Sequence, residues 1–287
     1  MQPPASAFLA DRLRAVLGRP PVDLARAALL IAEIERPGLD AGRSLALLDA
    51  LGARASERLA PLAEVSIEGR LDVLSTLLFE DEAFAGNKAH YGDFRNSLLD
   101  AVLDRRLGIP ITLALVYLEV AGRAGVDVRG VACPGHFLMT TEGTDGNPVI
   151  LDPFERGTRL DEQGCRRLLA RHLGDAAQFS PALLAPCSSR HLLARLLTNL
   201  KRAYIEARSF PHARQAVDLL LTVDPTVVSE RRDRGLLAYH MDDVQAALPD
   251  LEHYLDATEP GTRSAREERR RLEEHVKTLR RRVASLN

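Results

Sequence analysis

Apolar positions along the chain follow a helical period up to about residue 125, an alternating one to about 152, and a helical one again from about 188. Residues 8–17 and 22–35 read as amphipathic helices split by Pro20-Pro21, and Pro37-Gly38 ends the second. Residues 41–52 and 55–63 read as two more, with Ala and Leu at helical spacing. Leu71, Leu74, Leu77 and Leu78 mark another, which fades into the polar, loop-like stretch FAGNKAHYGDF at 84–94. Asn96 or Ser97 is placed to cap a helix from about Leu98 to Leu107, with Gly108 as its stop. The strongest helix signal follows, in GIPITLALVYLEVAGRAGV. Pro110 falls in its first turn, where a missing N–H costs nothing. Leu113, Val116, Tyr117, Val120 and Ala121 form its apolar face, and Gly125 follows its end. Glu119 interrupts that face; it either meets solvent or needs a cation such as Arg95 or Arg123.

Beyond Gly125, VDVRGVAC (126–133), HFLMTT (136–141) and PVILD (148–152) read as strands, and EGTDGN (142–147) has hairpin-turn chemistry. A long helix packed against a small antiparallel sheet predicts an α+β first half, residues 1–187. From 188 to 287 the strand signals vanish and an offset of 35 residues relates Tyr204 to Tyr239, Ala216 to Leu251, Leu220 to Leu255 and Pro225 to Pro260. Two helix-turn-helix units of this length, each ending in Pro, carry the tetratricopeptide signature. Two units bury little core, so they are expected to lean on the first domain and on the last helix, which carries Leu272, Val276, Leu279, Val283 and Leu286.

Composition narrows the function classes. Of 287 residues, 38 are basic and 40 acidic, and the formal charge of −2 gives no whole-chain case for nucleic-acid binding. No run of about 18 apolar residues is present, so no membrane span is expected. Three cysteines (Cys133, Cys165, Cys187) and no signal-peptide pattern predict a cytoplasmic protein rather than a disulfide framework. The segment from Arg263 to Asn287 has nine basic residues against four Glu, but its apolar stripe argues for a packed helix with a solvated basic face.

His136, at the start of one predicted strand, and Asp152, at the end of the next, can meet on one face of the sheet. A carboxylate accepting from an imidazole N–H fixes the tautomer and raises ring basicity. The plain alternative is a structural His–Asp hydrogen bond. Cys133 lies three residues before His136 and could supply a thiol, or simply pack beside a tight turn. Cys133-x-x-His136 and Cys187-x-x-x-His191 are metal half-sites by spacing alone; no metal and no cofactor is expected. Asn87, His90, Asp93, Arg95, Asn96 and Ser97 crowd the loop before the strongest helix, as a pocket rim over His136 or as caps and loop hydrogen bonds.

The runs FAGNKAHYGDFRNSLL, RRLGIPITLALVYLEVAGRAGV, PGHFL and VILDPF resemble the transglutaminase-like domain of SirB-type bacterial proteins, a family that typically adds a tetratricopeptide segment. The resemblance implies a papain-like arrangement, with a Cys at the N-terminus of a central helix and a His and an Asp on adjacent strands. His136 and Asp152 match the His and the Asp. The Cys position falls at or next to Pro110, where this chain reads Ile109, Pro110, Ile111, Thr112. None is a thiol, and it is a thiol at a helix N-terminus that becomes the nucleophilic thiolate. The resemblance thus implies a remnant pair, His136 and Asp152, bordered by pocket residues Asn87, Asp93, Asn96, Pro110, Thr112 and Cys133. The expected function is a non-catalytic interaction protein that binds a protein or peptide through its tetratricopeptide segment. The alternative is a hydrolase or acyl transferase with a rearranged site, His136 acting as base on Cys133 or water.

Overall fold

A computed structural model describes residues 5–62, 64–174, 179–259 and 261–286. The chain divides into two compact units, Ala15–Leu196 and Met1–Arg14 with Leu197–Asn287. Twelve α-helices, the first of them α1 (Ala5–Leu17), and six strands occur among the described residues.

In the first unit the helices α2 (Leu24–Ala32), α3 (Ala41–Leu59), α4 (Ile67–Ser75) and α5 (Leu99–Arg105) surround α6 (Pro110–Arg123). Every residue of α6 from Pro110 to Tyr117 is buried, as expected of a helix that is apolar nearly all round. Pro110 stands in its first turn, with Ile109 as N-cap. Residues 41–59 form one helix where two were expected; Gly52 sits inside it, at a point where α6 packs so closely that a Cβ would lie 2.4 Å from the Arg123 side chain. After α4 the chain widens into a π-helical turn, Thr76–Asp81, with Glu82 N–H donating to Leu77 C=O at 3.0 Å.

The expected cap on α5 is also corrected. Asn96 and Ser97 close a 3₁₀ turn, Phe94–Ser97, and the N-cap of α5 is Leu98, without a side-chain bond. Nor does Gly108 stop that helix. Arg106 does, in the left-handed region at φ 60°, after which β2 (Leu107–Gly108) pairs in parallel with β1 (Ala85–Gly86) inside the predicted loop.

The sheet is an antiparallel meander of β3 (Arg129–Val131), β4 (Leu138–Glu142), β5 (Pro148–Asp152) and β6 (Thr158–Leu160), with Met139 opposite Leu151 and Thr141 opposite Val149. The strand β6 carried no sequence signal. β4 is buried from Leu138 to Thr141; α6 packs on the sheet, and Cys165, Leu168 and Leu169 of α7 (Glu162–Leu173) join Val131, Leu138 and Ile150 in a second core layer. β3 and β4 are shorter than predicted, so His136 lies in a bend before β4 rather than in the strand.

The helix α8 (Ser189–Glu206) begins in the first unit, up to Leu196, and continues into the other, where α9 (Phe210–Val223), α10 (Val228–His240), α11 (Val244–Ala257) and α12 (Arg263–Leu286) follow. Of the positions paired by the 35-residue offset, Tyr204, Ala216, Leu220, Leu251 and Leu255 are buried and Tyr239 is partly buried against the core that holds Leu251 and Leu255. Leu272, Val276, Leu279 and Val283 of α12 pack on Val244, Ala247, Leu251 and Leu255 of α11. Pro260 and Ala63 lie outside the described residues, as does the side chain of Leu286. Lys201 is buried with its ammonium 2.8 Å from Glu230 and 2.7 Å from Asp233 of α10.

Candidate functional site

Two local devices carry the His–Asp pair. The chain turns tightly from Cys133 to His136, whose N–H donates to Cys133 C=O at 3.1 Å across Gly135 at φ +74°. Asp152 ends β5, and its carboxylate Oδ1 accepts from Phe154 N–H at 2.9 Å and from Glu155 N–H at 3.4 Å, folding the following turn. His136 Nε2 lies 2.9 Å from the same Oδ1. A carboxylate only accepts, so Nε2 carries a proton and donates it to Asp152. The pair is 8% and 3% exposed. The Phe154 ring meets the imidazole edge to face at 6.2 Å and Tyr91 at 5.8 Å, with the Lys88 ammonium 5.8 Å from its centroid. A side chain at position 86 would strike Phe154 at 2.5 Å, so only Gly86 admits that ring.

The polar residues before α6 meet one another. Asn87 Nδ2 donates to Asn96 Oδ1 at 3.0 Å and its Oδ1 accepts from His90 N–H at 3.1 Å. Asn96 Nδ2 donates to the carbonyls of His90 and Tyr91, at 2.7 and 3.2 Å. Asp93 accepts from Arg95 N–H at 3.0 Å and holds the guanidinium groups of Arg95 and Arg105; the Arg95 bonds keep its carboxyl below the usual range. Thr112 Oγ1 donates to Asn96 C=O at 2.7 Å and accepts from Ile109 N–H at 3.1 Å, so the hydroxyl nearest the start of α6 is committed to the backbone.

Cys133 goes elsewhere. It is buried in the layer formed with Val131, Leu138 and Cys165, and burial pushes its thiol up to about 11, so it is a thiol rather than a thiolate near neutral pH. Burial also raises Cys165 and Cys187. Among the described residues, no group of three or more His, Cys, Asp or Glu side chains could hold a metal ion. No helix among them is long and apolar enough to cross a membrane.

Glu119 has the Arg123 partner, and its Oε1 also accepts Ala25 N–H at 3.1 Å in the first turn of α2. Arg95 is spent on Asp93. Sequence reading passed over Tyr91, Phe154 and Arg195. Arg195 had a signal: it is a lone cation among Leu192, Leu193, Leu196 and Leu197. A cavity of 430 Å³ opens away from His136, between Leu24, the Leu118–Arg123 segment, β3 and Cys187–Leu192.

Comparison with known proteins agrees with this architecture. Residues 43–198 match the model of the transglutaminase-like superfamily, and residues 200–277 match a tetratricopeptide repeat. A UPF0162 protein of Xylella fastidiosa (strain Temecula1) is 37% identical over 79% of this chain and 81% of its own length. A UPF0162 protein of Pseudomonas aeruginosa is 32% identical over 87% and 90%. Protein SirB1 of Salmonella typhimurium is 26% identical over 70% and 76%. No solved structure matches. A buried helix starting at Pro110, a four-stranded meander holding His136 on Asp152, and a tetratricopeptide segment after it agree with these matches: the chain belongs to the transglutaminase-like superfamily, in its SirB type.

Proposed function

We propose that the protein is a non-catalytic interaction protein, cytoplasmic, in which the transglutaminase-like domain has no nucleophile and the tetratricopeptide segment binds a protein or peptide. One observation carries this reading. At the start of α6, where the superfamily resemblance implies a thiol, Pro110 occupies the first turn and the Thr112 hydroxyl is tied to Asn96 and Ile109. The buried, protonated Cys133 offers no substitute nucleophile. Tetratricopeptide repeats present extended surfaces for other proteins, and this segment supplies one. No cofactor or metal is part of the reading. His136 and Asp152 then act as a positioning pair that fixes the turn beside α6.

A second reading rests on the 2.9 Å His136–Asp152 contact. A hydrolase or acyl transferase could use that imidazole as a base on water. One experiment separates the two. The whole chain and its His136→Ala and Asp152→Asn variants are assayed on amide, ester and thioester substrates, with circular dichroism as the folding control. The proposal expects equal, background rates for all three. Turnover by the wild type that falls about 100-fold or more in a folded His136→Ala variant overturns it.

A further inference from the structure

Arg195 is the one cation beside the His136 turn with no carboxylate partner among the described residues. Its Nη2 reaches Cys133 C=O at 3.5 Å, and that same carbonyl accepts His136 N–H at 3.1 Å. The guanidinium therefore rests on the four-residue turn that delivers the imidazole. Other charges around the turn are matched: Lys88 pairs with Glu155 at 2.7 Å, Arg95 and Arg105 share Asp93, and Asp152 is occupied by His136 and two backbone N–H groups. Tyr91, 51% exposed, packs edge to face on Phe154, the ring that also meets His136, and feels the charge of Arg195.

Such a guanidinium is costly to leave unpaired. It sits half-buried in a leucine-rich stretch of α8, has five donors in a planar fork, and makes one long bond to a backbone carbonyl. Its shape matches a carboxylate, which accepts two parallel N–H bonds. Tyr91, within electrostatic reach of Arg195, adds a hydroxyl and an exposed ring suited to the chain that bears the acid.

The geometry points to Arg195 as the anchor of a carboxylate-binding site beside His136, with Tyr91 as its outer wall. The ligand class is a peptide carboxylate, from a chain terminus or from an Asp or Glu side chain. This deepens the interaction reading above by naming what the transglutaminase-like domain itself would hold. It rests on that reading only for the absence of turnover. A binding measurement tests the site and the rate assay tests catalysis, so the two can fail separately.

The whole chain, labelled with ¹⁵N in arginine and histidine, is titrated with N-acetyl-trialanine carrying a free carboxylate, with its C-terminal amide, and with N-acetyl-Ala-Glu-Ala amide. The expected result is a saturable shift of the Arg195 Nε–H resonance with one or both carboxylates and at least about tenfold weaker binding of the trialanine amide. Whichever carboxylate binds more tightly identifies the source. Arg195→Met is expected to lose at least about tenfold in affinity and Arg195→Lys to recover part of it. Equal binding of acid and amide, unchanged affinity in Arg195→Met, or no saturable shift with either carboxylate overturns the inference. The acid–amide contrast is read on the wild type and does not depend on how well a variant folds.

Discussion

Asp100 sits in the first turn of α5, 3% exposed, with the Arg36 guanidinium 2.7 Å from one of its oxygens. Burial raises its pKa by more than Arg36 lowers it. A carboxyl whose folded pKa lies above its unfolded one favours folding below the unfolded pKa, and that contribution is lost as pH rises through the folded pKa. Near neutral pH the folded protein therefore carries a penalty that a neutral isostere lacks. Asp100→Asn is expected to raise the urea midpoint at pH 7, with the gain shrinking as pH falls into the carboxylate range. A lower midpoint at pH 7 would mean that the Arg36 pair outweighs burial. Thr112 shows the opposite economy. Its buried hydroxyl both donates and accepts, so a polar group with no access to water loses nothing by burial.

Elements in this chain are placed by close approach as much as by propensity. Gly86→Ala would put a methyl 2.5 Å from the Phe154 ring. About 1–3 kcal/mol of overpacking is expected, together with a shifted His136 imidazole resonance as the ring is pushed off its T-shaped contact. Gly122→Ala, inside α6 with nothing within 4 Å of the added methyl, is the control and is expected to stabilise by about 0.5–1 kcal/mol. Denaturant unfolding of both variants checks the contrast; equal effects would mean that Phe154 does not need the empty position. This is also where legibility in the sequence varied. The helix starting at Pro110 was readable because its ends and apolar face agree. β5 was readable because turn chemistry brackets it. β6, the pairing of β1 with β2 and the left-handed stop at Arg106 were not, because each depends on a partner distant along the chain. The proximity of His136 and Asp152 was legible through strand order. The placement of Tyr91, Phe154 and Arg195 was not, because loops and a distant helix deliver them.

At the scale of the whole molecule, two largely buried ionic clusters join the repeat helices among the described residues. Lys201 lies between Glu230 and Asp233, with side-chain exposures of 8%, 12% and 22%. Arg234 likewise bridges Asp250 and Asp218, at 2.6 and 3.1 Å. Removing one member of such a cluster leaves buried charge uncompensated, at a cost of about 3–5 kcal/mol. Lys201→Met is expected to lose that much and to speed hydrogen exchange in α8 and α10. The double variant Lys201→Met/Glu230→Leu is expected to recover part of it. Unchanged exchange in Lys201→Met would show that water or rearrangement already screens the pair.

The π-helical turn at Thr76–Asp81 has a consequence of phase. Each residue advances a helix by about 100°, so one residue absorbed in a wide turn rotates everything after it by that angle. In this chain the rotation aims the Phe79 carbonyl at Arg156 Nη2, 3.1 Å away in the turn after Asp152, and stacks the Phe79 ring on Tyr117. It also sets Glu82 between Arg54 and Arg106 and Phe84 under Arg106. Deleting one residue there would restore a regular helix and misdirect all four groups together. A single-codon loss at this point would therefore be read by the turn that positions Asp152, a whole sheet away in sequence.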